Sequence, residues 1–165
     1  MSYTSKILDS ISSSAAKSKT ENIRFFKSIN KKKIRDLDNK VHDLHDEVFK
    51  KIDCLECANC CKSLGPRITD KDIERISKFL KIKSQVFINQ HLIIDEEGDY
   101  VFKSMPCPFL LPDNYCSIYE VRPKACREYP HTDRPKFLQI AKLTVLNSET
   151  CPAVYEILER LRIEF

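Results

Sequence analysis

Between Thr20 and Ile52 the chain carries neither glycine nor proline, and Ile34, Leu37, Val41, Leu44 and Val48 recur there at alternating steps of three and four. Such steps bring apolar side chains to one face of a helix, close to a heptad seam. The stripe predicts a helix packed on its own domain, with a homodimer seam through this N-terminal helix as the alternative. His42 and His45 flank the stripe and read as surface polar residues. Residues 1–20 are rich in Ser, Lys and Ala and are expected to fray at the start. Farther on, Thr69 with Asp72 offers an N-cap and an acidic first turn. Ile73, Ile76, Phe79 and Leu80 then give one apolar face, so 70–80 reads as a helix. Ser84 is the expected cap of a second helix carrying Val86, Phe87 and Leu92. Apolar runs on both sides of Asp95-Glu96-Glu97-Gly98-Asp99 predict a β-hairpin.

Residues 105–135 hold Pro106, Pro108, Pro112, Pro123, Pro130 and Pro135, so regular structure there should be short. Residues 136–146 read as helix rather than strand. Val154, Ile157, Leu158 and Leu161 predict an amphipathic helix over 150–163 with Thr150 as its cap. The expected fold is mainly α with a small β-hairpin. A tail and helical arm over 1–51 would precede a small cysteine-rich, metal-stabilised domain over 52–165, a length that suits one domain with an appended arm.

Composition removes several function classes. Gly65 and Gly98 are the only glycines, so neither GxGxxG nor GxxxxGK[ST] is present. The net charge of +4 is mild. The one dense basic run, Lys31-Lys32-Lys33 with Arg35, reads as a solvated helix face, which argues against a nucleic-acid partner. No stretch approaches the roughly 20 apolar residues that span a bilayer. The first twenty residues lack the apolar core of a secretory leader, and the expected location is cytoplasmic. In that reducing setting grouped cysteines are metal ligands or redox groups more often than disulfides.

The chemistry lies in eight cysteines: Cys54, Cys57, Cys60 and Cys61 within eight residues, then Cys107, Cys116, Cys126 and Cys151. Two cysteines separated by two residues can turn back onto one metal, and that spacing occurs twice in tandem. The Cys60-Cys61 doublet adds a constraint. In extended backbone, neighbouring side chains point to opposite sides, so one metal would need a special turn to take both. Two zinc sites or one polynuclear iron–sulfur cluster satisfy the ligand inventory equally, since Cys-only sites serve both. Arg122 and Arg127, which flank Cys126, are expected to donate to sulfur or to neighbouring carbonyls. His131 reads as a neutral imidazole rather than a ligand. Tyr119 and Tyr129 read as core aromatics with a bonded hydroxyl. No nucleophile–base pair can be named, which leans against an enzyme.

The segments CLECANCC, MPCPFLLPDNYCSIYEVRPKACREYP and TCPAVYEIL resemble the YkgJ-type cysteine-cluster family, described by its CxxCxxCC signature as a zinc- or iron-chelating domain. The resemblance covers about residues 52–160. It implies that all eight cysteines match the family's cysteine positions and that Arg122-Pro123 with Arg127 match its arginine motif. Many members carry Gly after the second cysteine, where this chain has Ala58. Some relatives are labelled flagellin lysine methylases. The cysteines here do not follow CxxxCxxC and no Gly-rich turn is present, so the resemblance carries over metal binding and not methylation. The expected function is coordination of zinc by clustered thiolates. An iron–sulfur protein with redox or protein-modification activity is the first alternative, and a nucleic-acid-binding zinc module the second.

Overall fold

The computed structural model describes residues 3–32 and 34–165; Lys33 of the basic run lies outside the described residues. The elements run α1 (Tyr3–Lys32), α2 (Leu37–Phe49), α3 (Cys54–Cys57), α4 (Asn59–Ser63), α5 (Asp70–Leu80), α6 (Ser84–His91), β1 (Leu92–Ile94), β2 (Tyr100–Phe102), α7 (Lys124–Glu128), α8 (Ala141–Asn147) and α9 (Pro152–Glu164). Single 3-10 turns cover Tyr119–Val121 and Phe137–Ile140. The fold is mainly α with one two-stranded antiparallel hairpin, as expected. No described helix is long and apolar enough to cross a membrane. Two compact units result, 1–57 with 130–165 and 58–129.

In the first unit α1 and α2 pack on α9. The α9 face of Ala153, Val154, Ile157, Leu158 and Leu161 is wholly buried. Each larger aliphatic side chain withdrawn from water in this way contributes about 1.5–3 kcal/mol. The predicted stripe of α2 is buried at Leu37, Val41, Leu44 and Val48, so it is covered within its own unit. The N-terminal segment expected to fray is instead helical from Tyr3 onward, burying Thr4, Ile7, Ile11, Ser18, Asn22, Phe26 and Ile29. His45 is not a surface residue. Its Nδ1 lies 2.8 Å from Thr132 Oγ1 and its ring packs tilted against Phe49, with ring centres 4.4 Å apart, and burial lowers its pKa. Thr150 does not cap the last helix; Cys151 holds that position, with Pro152 in the first turn.

The second unit closes around Ile68, Ile73, Ile76, Phe87, Leu92, Phe102, Phe109 and Ile118. Phe109 is central: its ring meets Phe102 at 5.7 Å, Phe87 at 6.2 Å and His91 at 5.0 Å. Helix α5 starts on a full capping box, in which Thr69 Oγ1 accepts from Asp72 N and Asp72 accepts from Thr69 N. Lys83 occupies the position before α6 without a capping side-chain bond, Ser84 is the first residue of the helix rather than its cap, and Leu92 belongs to β1 rather than to α6. The hairpin pairs Leu92 with Phe102 and Ile94 with Tyr100. Its turn is fixed by Asp95 Oδ1, which accepts from the N–H groups of Glu97 and Asp99, and by Gly98 at φ 85°.

Candidate metal centre

None of the eight cysteines is joined in a disulfide, so no disulfide framework organises the chain. Cys60, Cys61, Cys107, Cys116 and Cys126 belong to the second unit, and Cys54, Cys57 and Cys151 to the first.

In the second unit, Cys60 and Cys61 sit on the short α4. The doublet's expected obstacle assumed extended backbone. The segment is helical instead, entered through Ala58 in the left-handed conformation (φ 48°, ψ 16°), and the two sulfurs stand 4.0 Å apart. Glycine adopts that conformation without strain, whereas here it is held by a residue with a side chain. Cys107 is tied to this helix by its own N–H, which donates to Cys61 O at 2.8 Å. The chain then folds back on itself: Ser117 N donates to Phe109 O at 2.9 Å and Leu111 N to Tyr115 O at 2.8 Å. Cys116 is thereby returned beside Leu110. Cys126 is the third residue of α7.

Burial raises the Cys107 pKa to about 11, against the N–H groups of Phe109 and Leu110, which lie close to its sulfur; Cys61 and Cys116 raise it further. Burial also raises Cys116, against the Ile118 N–H, while the Arg122 charge lowers it. Cys126 is pushed up to about 12 by burial and by Cys61, Cys107 and Cys116, with Arg122 opposing. Cys61 moves the other way, to about 7, through its contact with Cys60 and the charge of Lys62, against burial. Arg122 is fixed by its Nη1, which donates to Tyr119 O at 2.7 Å, and by its guanidinium 3.9 Å from the Tyr119 ring centre. Arg127 is exposed on α7.

In the first unit, Cys54 and Cys57 lie three apart on one helical turn, hence on one face. Asp53 starts that turn by accepting from Leu55 N at 2.8 Å and Cys57 N at 3.0 Å. Cys151 is nearly sealed. Burial lifts its pKa to about 12 against the N–H groups of Val154 and Ala153, with Cys54 and Cys57 raising it further. His131, half-buried in this unit, takes a left-handed φ of 69°.

Among the described residues, no three His, Cys, Asp or Glu side chains stand arranged around one point as a finished metal site. The fit to a metal therefore rests on two other observations. The donors are soft thiols, the ligand class of zinc and iron–sulfur centres. The Cys60–Cys61 separation of 4.0 Å also matches the edge of a tetrahedral zinc site, where sulfurs about 2.3 Å from the ion stand about 3.8 Å from one another.

Two residues that matter here were not read as site residues: Arg75 was not singled out, and Asp72 was read only as part of the start of α5. Asp72 does more than start α5: its Oδ1 accepts from Lys124 N at 2.9 Å. Arg75 donates through Nη2 to Asp72 Oδ1 at 2.5 Å and to Arg122 O at 2.9 Å, and through Nε to Val121 O at 3.4 Å. The sequence signal was an Asp and an Arg three apart on a predicted helix, which by itself marks an ordinary surface pair.

No curated protein and no solved structure matches the chain. The model of the CxxCxxCC family, described as "Putative zinc- or iron-chelating domain", matches residues 53–152; that is more than half of the chain, and the protein belongs to this family.

Proposed function

We propose that the protein binds zinc through its eight cysteine thiolates, with Cys60, Cys61, Cys107, Cys116 and Cys126 serving the second unit and Cys54, Cys57 and Cys151 the first. The bound ion acts as a structural cross-link. The observation that carries this reading is the sulfur–sulfur distance in the Cys60-Cys61 doublet, 4.0 Å. It suits two ligands of one tetrahedral ion. The N–H groups beside the sulfurs of Cys107, Cys116 and Cys151 support the same reading, because such donors favour sulfur as an anion. The Arg122 charge near Cys116 and Cys126 offsets part of the negative charge that several thiolates on one dication would leave. Zinc would supply coordinate bonds that hold the proline-rich 105–129 segment to α4, a short helix with no fully buried side chain of its own.

Metal analysis of anaerobically purified full-length protein tests this. The five thiolates of the second unit suffice for one tetrahedral site, and the three of the first leave one position to another ligand, so a colourless protein with one to about two zinc per chain is expected. Cys60→Ser and Cys126→Ser should each lower that content and destabilise the second unit. A brown preparation containing iron would replace zinc with the family's other metal. Wild-type protein without bound metal, or serine variants with unchanged metal content, would end the thiolate reading.

A further inference from the structure

We propose that Asp72 and Arg75 are positioning residues for Cys126, clamping the backbone turn that delivers this thiol to the cysteine set of the second unit. The inference rests on the thiolate reading above.

Asp72 is 0% exposed. A carboxylate is rarely sealed in this way without several partners. Its Oδ2 completes the capping box of α5, accepting from Thr69 N at 3.0 Å and Thr69 Oγ1 at 2.6 Å. A capping box needs nothing more and works as well at the surface. The second oxygen reaches 52 residues along the chain to Lys124 N, the first N–H of α7 and one of the donors a helix start leaves without an internal partner.

Arg75 completes the grip. Its planar fork meets Asp72 Oδ1, Arg122 O and Val121 O, an arrangement suited to guanidinium and not to ammonium. Backbone groups of residues 121, 122 and 124 are thus held from α5, with the buried Pro123 between them. Helix α7 needs such a hold. It has five residues and buries none of them fully, and a helix that short does not persist on its own hydrogen bonds. Cys126 lies two residues beyond the clamped N–H, so the clamp sets where its Cβ stands.

The test uses reduced, full-length protein as purified and follows alkylation of each cysteine separately by peptide mass spectrometry. Arg75→Lys keeps the charge opposite Asp72 but loses the fork onto the two carbonyls. Asp72→Asn removes the anion, and Arg75→Lys carries the test should that variant not fold. Thr69→Ala is the control: it weakens the start of α5 and leaves the contacts to 121–124 in place. Arg75→Lys should speed alkylation of Cys126 about tenfold through local opening of α7, with Cys107 and Cys116 within about twofold of wild type. Zinc affinity, read by competition with a chromophoric chelator, should fall by about the same factor. A rise confined to Cys126 and absent from Thr69→Ala supports the clamp. Unchanged alkylation, or an equal rise at all three cysteines or in Thr69→Ala, overturns it. Wild-type protein that binds no zinc defeats the thiolate reading, while the alkylation comparison still decides the clamp.

Discussion

Two buried alanines offer an internally controlled test of how the first cysteine cluster turns. Ala58 and Ala153 are 2% and 0% exposed. Ala153 lies in the first turn of α9, and Ala58 holds the left-handed conformation between α3 and α4. Replacing either with glycine removes one buried methyl, worth about 0.8 kcal/mol. At Ala153 the weaker helix propensity of glycine adds up to about 1 kcal/mol, for a total near 2 kcal/mol. At Ala58 the backbone terms oppose. The left-handed conformation costs a side-chain-bearing residue about 1–2 kcal/mol, and glycine relieves it. The extra freedom of glycine in the unfolded chain takes back about 0.4–1 kcal/mol. Ala58→Gly should therefore fall within about 1 kcal/mol of wild type. Urea unfolding of the two variants in one buffer reads the difference. For a chain of this size 1 kcal/mol moves the thermal midpoint by about 2–4 °C, so melting separates them as well. Equal losses in both variants would refute the left-handed turn and, with it, the explanation of how Cys60 and Cys61 come to face the same side.

Two further outcomes follow from single carboxylates. Burial pushes the Asp72 pKa up, but hydrogen bonds from the Thr69 hydroxyl, the Thr69 N–H, Arg75 and Lys124 N outweigh it and hold the pKa below 3.8. A carboxylate whose folded pKa is depressed contributes stability that is present above the unfolded value and lost as pH falls through the folded one. Urea midpoints of wild type should drop on acidification below the ordinary carboxylate range, and Asp72→Asn should flatten part of that drop while being less stable at neutral pH; parallel acid limbs would count against the network. Asp38 accepts from Lys136 N at 2.5 Å and Phe137 N at 2.9 Å, capping the Phe137–Ile140 turn from α2. Asp38→Ala should cost about 1 kcal/mol, as lost caps do, measured as a lower thermal midpoint, and an unchanged midpoint would remove that role.

Elements governed by local pattern were legible in the sequence. Helix α5 ends where the apolar face and its cap predicted, and the hairpin forms around the acidic turn. The stripe is buried at Leu37, Val41, Leu44 and Val48 of α2, while Ile34 lies before the helix and is half-buried. Helix α1 was harder to read because Thr4, Ser18 and Asn22 occupy buried positions where apolar residues were sought. The break before α2 was equally hidden, since Asp36 turns left-handed at φ 58° without a glycine to announce it. In the candidate site, the cysteines were legible as candidates because thiols are scarce and their spacing is specific. Their grouping was not. CxxCxxCC reads as one tandem device, whereas the Ala58 turn places two short helices on either side of it. Nor could any local pattern show that Asp72 reaches Lys124, because contacts across dozens of residues are fixed by the fold.

The surroundings of the buried thiols also separate a ligand from a core filler. A cysteine that only packs behaves as a small hydrophobe and needs nothing aimed at its sulfur. Here the sulfurs of Cys107 and Cys151 each have the N–H groups of the residues two and three positions on beside them, and Cys116 has that of Ile118. In the first two cases the intervening residue is Pro108 or Pro152, which fixes the turn and has no N–H of its own. Such donors stabilise sulfur only once it carries charge. Burial works against that charge, as does the crowding of Cys61, Cys107 and Cys116 around Cys126. Amides placed beside these sulfurs, in a setting that opposes bare thiolates, support the proposed reading in which a cation meets their charge. The proposed zinc ion supplies that cation and reconciles the two.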